Sequence, residues 1–304
     1  MSRNPLLLIH ENVVHNMTEN LSYIEKLELQ IDEFVKVIND MLDNSSIFLK
    51  RINRDPNYIV IGLHPFSWSK KDEKNQLKAK NLYEKFNSNF ELLRVQANPT
   101  LLKKIQKSDK WIENIIDQNK APGSMPSVKS NLLSNVNVYK EFLSFFKVEN
   151  KSVFIIPDTN SIVQFPEPKS YRIITESKIF NFIILPTVLS ELDKLKLTHR
   201  SDDFRKKVSS VIKRLKGFRK QGNILDGVTV DKTIFVKMIA TEPNFDRTLN
   251  WLDSNNNDDR IIANALELQV SYPGDKVILI TSDINLQNKA ELANLTVFDT
   301  DDLE

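Results

Sequence analysis

The strongest constraint on this chain is the character of four short apolar runs in its second half. "VFIIP" (153–157), "FNFIILP" (180–186), "KVILITS" (276–282) and "LTVFD" (295–299) are mostly continuous rather than alternating. Continuous apolar strands are those buried on both faces, as in a parallel sheet. Between them stand stretches of helical pattern: "TVLSELDKLK", "RKKVSSVIKRLKGFRK", "DDRIIANALELQ" and "NLQNKAELAN". Strand and helix in alternation predict an α/β sandwich around a central parallel sheet, joined by right-handed crossovers. Sheets of that kind hold ligands at the carboxyl ends of their strands.

Residues 1–150 read differently, as a mostly α-helical N-terminal domain ahead of an α/β domain at 151–304. From Met17 to Leu42 an apolar seam recurs near helical spacing: Met17, Leu21, Ile24, Ile31, Val35, Ile38 and Leu42. Glu28 interrupts it and Leu27 partly substitutes. Such a stripe must be covered, by an intramolecular bundle or by a second copy in a coiled-coil dimer. "YIVIGLHPF" (58–66) reads as a short strand or an irregular core segment. Further helices are expected near 70–95, 98–118 and 128–147, with "APGSMPS" (121–127) the clearest break. There is no internal repeat and no low-complexity tract.

Composition removes whole classes of chemistry. The chain has no cysteine, which excludes disulfides, thiolate nucleophiles and cysteine-ligated metal sites, and fits a reducing cytosol. Its four histidines, His10, His15, His64 and His199, do not cluster at metal-ligand spacing. Only 6 glycines are present, with no GxGxxG and no GxxxxGK[ST], so no glycine cradle for phosphate is supported. No apolar run is long enough to span a bilayer, and the "LLLI" near the start is too short for a signal segment. The expectation is a soluble, cytoplasmic protein. Net charge is only +2, so the distribution of charge matters more than its sum.

Acids stand at the predicted strand ends. Asp158 follows "VFIIP"; Glu191 lies one turn into the helix after "FIILP"; Asp258 and Asp259 open "DDRIIANALELQ"; Asp283 ends "KVILITS". Each has an ordinary structural explanation. Asp158 and Asp283 suit helix caps, Glu191 could pair with Lys194 or Lys196, and Asp258 and Asp259 suit an acidic first turn. Together they point elsewhere, because carboxylates gathered at one sheet edge repel one another unless a cation intervenes. Oxygen ligands without His or Cys favour hard ions, Mg²⁺ or Mn²⁺.

The order and context of these acids resemble the PIN domain family, a metal-dependent nuclease fold. "VFIIPDTNSIV" is similar to its first motif, "ILPTVLSELDKLK" to its second, "NNDDRIIANAL" to its third and "VILITSDINLQNKA" to its fourth. The spelling is nearest to the PIN domains found beside PhoH-like ATPases and to bacterial stand-alone PIN-like proteins. The resemblance covers about 151–302 and leaves 1–150 unassigned. It implies Asp158, Glu191, Asp259 and Asp283 as catalytic and metal-binding acids, with Asp258 a neighbour or substitute ligand. It places Asn160, Thr281 and Ser282 at supporting polar positions. Asn285 sits where some members carry another acid. One or two ions would be held, and the reaction implied is hydrolysis of a phosphodiester in single-stranded RNA.

The substrate needs a positive approach. Residues 205–220 concentrate Arg205, Lys206, Lys207, Lys213, Arg214, Lys216, Arg219 and Lys220 in one helix, flanked by Phe204 and Phe218. This is either a phosphate-binding stripe or a solvated helix face. Lys194 and Lys196 are close enough in sequence to Glu191 to steer a phosphate. Other readings are a DNA nuclease of the same superfamily, a non-catalytic RNA-binding protein and, remotely, a phosphoacceptor domain. The N-terminal half is expected to select substrate, cover the acidic site, or form a homo-oligomer.

Overall fold

The computed structural model describes residues 21–49, 66–175 and 177–304. Met17, the early "LLLI", His10, His15, His64 and all of 58–66 except Phe66 lie outside the described residues. The chain divides into two compact units: residues 27–147, and residues 148–304 together with the segment ending at Lys26. Among the described residues no helix is long and apolar enough to cross a membrane.

The first unit is helical. It holds most of α1 (Tyr23–Asp43), then α2 (Glu73–Arg94), α3 (Pro99–Asp117) and α4 (Met125–Ser144). Local chemistry sets the starts. The Asp72 carboxylate accepts the Asn75 N–H, and the Asn98 side chain accepts that of Leu101 at 2.9 Å, with Pro99 opening α3. A two-stranded antiparallel ribbon, β1 (Ser46–Leu49) with β2 (Phe66–Lys70), joins α1 to α2.

The α1 seam follows the stripe expected from the sequence: Ile24, Ile31, Ile38 and Leu42 are buried, Leu27 fills the place Glu28 interrupts, and only Leu21 and Val35 are half-buried. Phe34 and Met41, outside that stripe, are buried as well. Aromatic packing accounts for Phe34. Phe34 packs on Tyr83, and Tyr83, Phe86, Phe90, Tyr139 and Phe142 continue ring to ring through the bundle. The stripe is therefore covered by helices of its own chain, as a bundle, and a coiled-coil dimer through this seam is corrected. One buried charge interrupts the core. Asp109 accepts both tyrosine hydroxyls, at 2.9 Å from Tyr83 and 2.6 Å from Tyr139, and pairs with Arg94 at 3.0 Å.

The second unit is a six-stranded sheet in the order β5-β6-β4-β3-β7-β8. Its strands are β3 (Val153–Pro157), β4 (Phe180–Ile184), β5 (Val228–Val230), β6 (Ile234–Met238), β7 (Lys276–Ile280) and β8 (Thr296–Phe298). All pairings are parallel except β5 with β6. Every residue of β3 and four of five in β7 are buried, so helices cover both faces. The helices are α5 (Thr159–Gln164), α6 (Pro186–Thr198), α7 (Asp202–Arg219), α8 (Asn257–Ser271) and α9 (Ile284–Leu292). The mixed α/β class with a mostly parallel sheet is the one expected.

Two strands of this sheet were not legible. The β5–β6 hairpin turns on Asp231 and Lys232, both with positive φ, 53° and 62°. That is the backbone of a tight hairpin turn without its usual glycine, so no Asn-Gly or Asp-Gly signal marks it. β4 and β7 also stop earlier than their apolar runs. Pro186 opens α6, and the 281–283 stretch turns away as the cap of α9.

Strand order fixes where a site can form. From β3 the chain moves one way to β4 and β6, then returns to place β7 and β8 on the other side of β3. The crevice of such a sheet opens where the order reverses, at the carboxyl ends of β3 and β7. Their register, Val153 opposite Lys276 through Pro157 opposite Ile280, brings the next residues, Asp158 and Thr281, level.

Candidate active site

Asp158 is the buried centre of the site, 4% exposed. It caps α5, with Oδ1 accepting the Ser161 N–H at 2.7 Å and Oδ2 accepting the Thr281 hydroxyl at 2.6 Å. The cap explanation is thus correct and incomplete. Burial pushes the Asp158 carboxyl above its usual range; bonds from Thr281 and Ser161 pull it back, and the charge of Glu191 adds to the rise. Thr281, fully buried, also accepts the Asp283 N–H at 3.0 Å, so one hydroxyl ties the first and last acids together.

Asp283 is the cap of α9, its Oδ1 accepting the N–H groups of Asn285 at 2.8 Å and Leu286 at 3.2 Å. Glu191 projects from the second turn of α6, between buried Val188 and Leu192. Its Oε2 accepts the Thr159 hydroxyl, and its Oε1 accepts the Asn257 amide at 2.7 Å. Thr159, which follows Asp158, and Asn257, which precedes Asp258, therefore close the ring of acids. Neither was selected from the sequence. Their signals were the "DTN" and "NNDD" spellings, which carry no direction for a side chain.

The two acids of α8 part company. Asn256 caps the helix, accepting the N–H groups of both Asp258 and Asp259, so neither aspartate is the cap. Asp259 is 4% exposed; its Oδ1 takes the Lys289 ammonium at 2.6 Å and its Oδ2 the Asp253 N–H at 2.9 Å. Asp258 is half-buried and faces the other acids. Burial raises its pKa, the charge of Asp283 raises it further, Lys289 opposes, and Glu191 and Asp259 add to the rise. Lys289 is the other site residue that sequence reasoning missed. It stands in "NLQNKA", six residues beyond the Asp283 cap.

The supporting positions divide as well. Thr281 holds the acids as described. Ser282 instead lies 2.8 Å from Asp299 and 2.6 Å from Thr300, away from the ring. Asn160 and Asn285 are exposed, and neither side chain has a hydrogen bond among the described residues. Asp299, a further acid at the end of β8, shows what a purely structural carboxylate looks like here. Burial works to raise it, but donors from Asp301, Ser282, Gln287 and Thr300 hold it below the usual range. Asp158 and Asp258 go the other way.

Of the basic residues, Arg205 pairs with Asp202, Lys206 with Asp203 and Arg214 with Glu167. Lys207, Lys213, Lys216, Arg219 and Lys220 are exposed and without an ion pair among the described residues, as are Lys194 and Lys196. Of the flanking aromatics, Phe218 is core, and Phe204 lies against His199 with ring centroids 4.1 Å apart.

No three of the described His, Asp or Glu side chains form a ready-made ion site as they stand. The donor set nonetheless suits a hard cation. It offers carboxylate oxygens only, two of its members are pushed up by burial and like charge, and the Lys289 ammonium already brings positive charge to Asp259. A family model described as a PIN domain matches residues 155–301. A search of the curated proteins returned no match. The model spans β3 to the last turn of the chain and takes in all five acids. PIN domains are generally nucleases with an α/β/α fold, and residues 155–301 of this chain match that domain.

Proposed function

We propose that this protein is a divalent-metal-dependent endoribonuclease that hydrolyses phosphodiester bonds of single-stranded RNA. The observation that carries this reading is the joint state of Asp158 and Asp258. Both are raised by burial and then by the charge of neighbouring acids, at the crevice where the strand order reverses. A stable fold does not need like charges brought together there; binding of a cation does.

Asp158, Asp259, Asp283 and Glu191, with Asp258 beside them, would hold Mg²⁺ or Mn²⁺. The ion, when bound, supplies an activated water and neutralises charge building on the phosphate. The chain's own residues do the positioning. Thr281 holds the Asp158 carboxylate and the backbone N–H of Asp283, tying the two chain segments together. Thr159 and Asn257 hold the two oxygens of Glu191 from opposite sides. Lys289 neutralises Asp259 and lies near enough to lower the cost of a second anion, the scissile phosphate. The unpaired cations of α7 would guide the strand by its phosphates.

The test uses the full chain on end-labelled single-stranded RNA with Mg²⁺ or Mn²⁺, beside a DNA strand of the same sequence. Asp158→Asn keeps an acceptor for Ser161 and should retain the circular dichroism of the wild type while losing cleavage by about a hundredfold or more. Wild-type cleavage by that variant would sink the assignment. Preference for the DNA strand would leave the nuclease and replace the substrate.

A further inference from the structure

The helical unit carries an open groove of about 670 Å³ between α3 and α4. Its walls are sorted by chemistry. From α3 come Lys104, Lys107, Lys110 and Trp111, and from α4 come Asn131 and Asn135. No acid lines it, although α3 carries three. Asp109 is turned into the core toward Arg94 and two tyrosines. Glu113 and Asp117 line a separate pocket, with Lys80 and Tyr83. One helix thus presents acids to one side and bases to the other, and the basic side is the one that flanks the groove.

The residues are also available. The three lysines are exposed and have no ion pair among the described residues. Trp111 is half-buried and lines the groove, so part of its side chain is anchored and part is open to a ligand. Asn135 donates to the Asn131 carbonyl at 2.8 Å, which leaves its Oδ1 free to accept; the Asn131 amide has no protein partner among the described residues.

We propose that this groove binds a single-stranded polynucleotide, as a site separate from the acids of the PIN domain. Lysines one helical turn apart, about 5 Å, match a chain of phosphates. A lodged indole offers a stacking surface that an unpaired base can reach and a paired base cannot. Two side-chain amides on the opposite wall supply both a donor and an acceptor, which suits base edges and has no use for a lipid headgroup or an acidic peptide. The proposal does not rest on the nuclease reading, because binding is measured here without cleavage.

The experiment uses the full chain in EDTA, so that no strand is cut, with fluorescein-labelled 12-nucleotide oligo(U), oligo(dT) and an RNA duplex of the same length. In a background of Trp68→Phe and Trp251→Phe, Trp111 is the only indole and reports on the groove directly. Its emission should be quenched by oligo(U) or oligo(dT) with the same midpoint as the anisotropy change, and not by the duplex. Trp111→Ala should weaken binding about five- to a hundredfold, and Trp111→Phe should restore most of it, which a merely structural loss would not. Replacing Lys104, Lys107 and Lys110 together by Gln should take about 2 from the slope of log affinity on log salt concentration. Unquenched Trp111 at saturating oligonucleotide, or a triple variant that binds like wild type with the same slope, overturns the proposal. The two oligonucleotide arms decide between RNA and DNA.

Discussion

At the scale of single residues, the site separates acids that the sequence presents as equals. Asp258 and Asp259 are adjacent, yet Asp259 is fully engaged by Lys289 and Asp253, while Asp258 is repelled by Asp283 and Glu191. Their replacement should therefore act oppositely on the metal-free fold. Asp259→Asn strands the Lys289 ammonium and should cost on the order of 2 kcal/mol. Asp258→Asn relieves repulsion and should leave stability equal or higher. Urea denaturation in EDTA measures both, and equal losses would show that the two carboxylates share one environment. Mg²⁺ or Mn²⁺ should raise the Tm of the wild type and raise it less in Asp258→Asn. A third residue gives a pH dependence far from the acids. The half-buried Lys26 donates to the Asn294 carbonyl and to Thr296 at 2.7 Å, and burial pulls its ammonium from the ordinary 10.5 down to about 7. Its folded value lies below its unfolded one. Across that window the unfolded chain keeps a proton the folded chain has released, so this group's contribution to stability rises with pH and is lowest below about 7. Thermal melts of wild type and Lys26→Met at pH 6, 8 and 10 should show the variant's Tm falling relative to wild type as pH rises. A constant difference would refute the shift. Asp158 and Asp283 stood out in the sequence as acids directly after apolar strands, and Glu191 through the spelling of its motif. Thr159, Asn257 and Lys289 did not, because what they hold comes from elements some 30 to 66 residues away.

At the scale of elements, legibility followed the strength of local signals. The parallel strands announced themselves by burial on both faces, and the helices by their caps and periodicity. The β5–β6 hairpin escaped because its turn uses Asp231-Lys232 in the left-handed region, where a non-glycine residue costs about 1–2 kcal/mol. Thr233 and Arg172 explain part of its retention. Arg172 pairs with Asp231 at 3.1 Å and donates to the Thr233 hydroxyl at 2.6 Å, fixing the turn from outside. Lys232 makes no such contact among the described residues. Lys232→Gly should then relieve the strain and stabilise the protein by roughly 1 kcal/mol, read as a higher urea midpoint at constant slope. A loss of stability would mean that the lysine side chain contributes something the turn geometry does not show. In α1 the helical spacing marked Ile24, Ile31, Ile38 and Leu42, all buried, but not Phe34, whose burial comes from packing on Tyr83 of α2, a contact no local pattern contains.

At the scale of the whole molecule, near-neutrality conceals an uneven arrangement of charge. Of 42 basic and 40 acidic side chains, many of the described ones cancel in ion pairs. In the PIN domain the remainder separates into acids around Asp158 and the unpaired cations of α7. Lys213, Lys216 and Lys220 recur at helical spacing on one exposed face, away from the core positions Val208, Val211, Leu215 and Phe218. A field of this kind acts on association more than on the fold. Replacing Lys213, Lys216 and Lys220 by Gln should change stability by less than about 0.5 kcal/mol. If these residues contact phosphates, the same change should take about 2 from the salt slope of kcat/KM on single-stranded RNA. The loss should be largest at low salt and vanish near half-molar salt, with kcat at saturating substrate unchanged. Identical salt profiles for variant and wild type would return α7 to the solvated helix face that its composition equally allows. A fall in kcat itself would place one of the three lysines at the reacting phosphate, a role for which their exposure on the outer face of α7 gives no support.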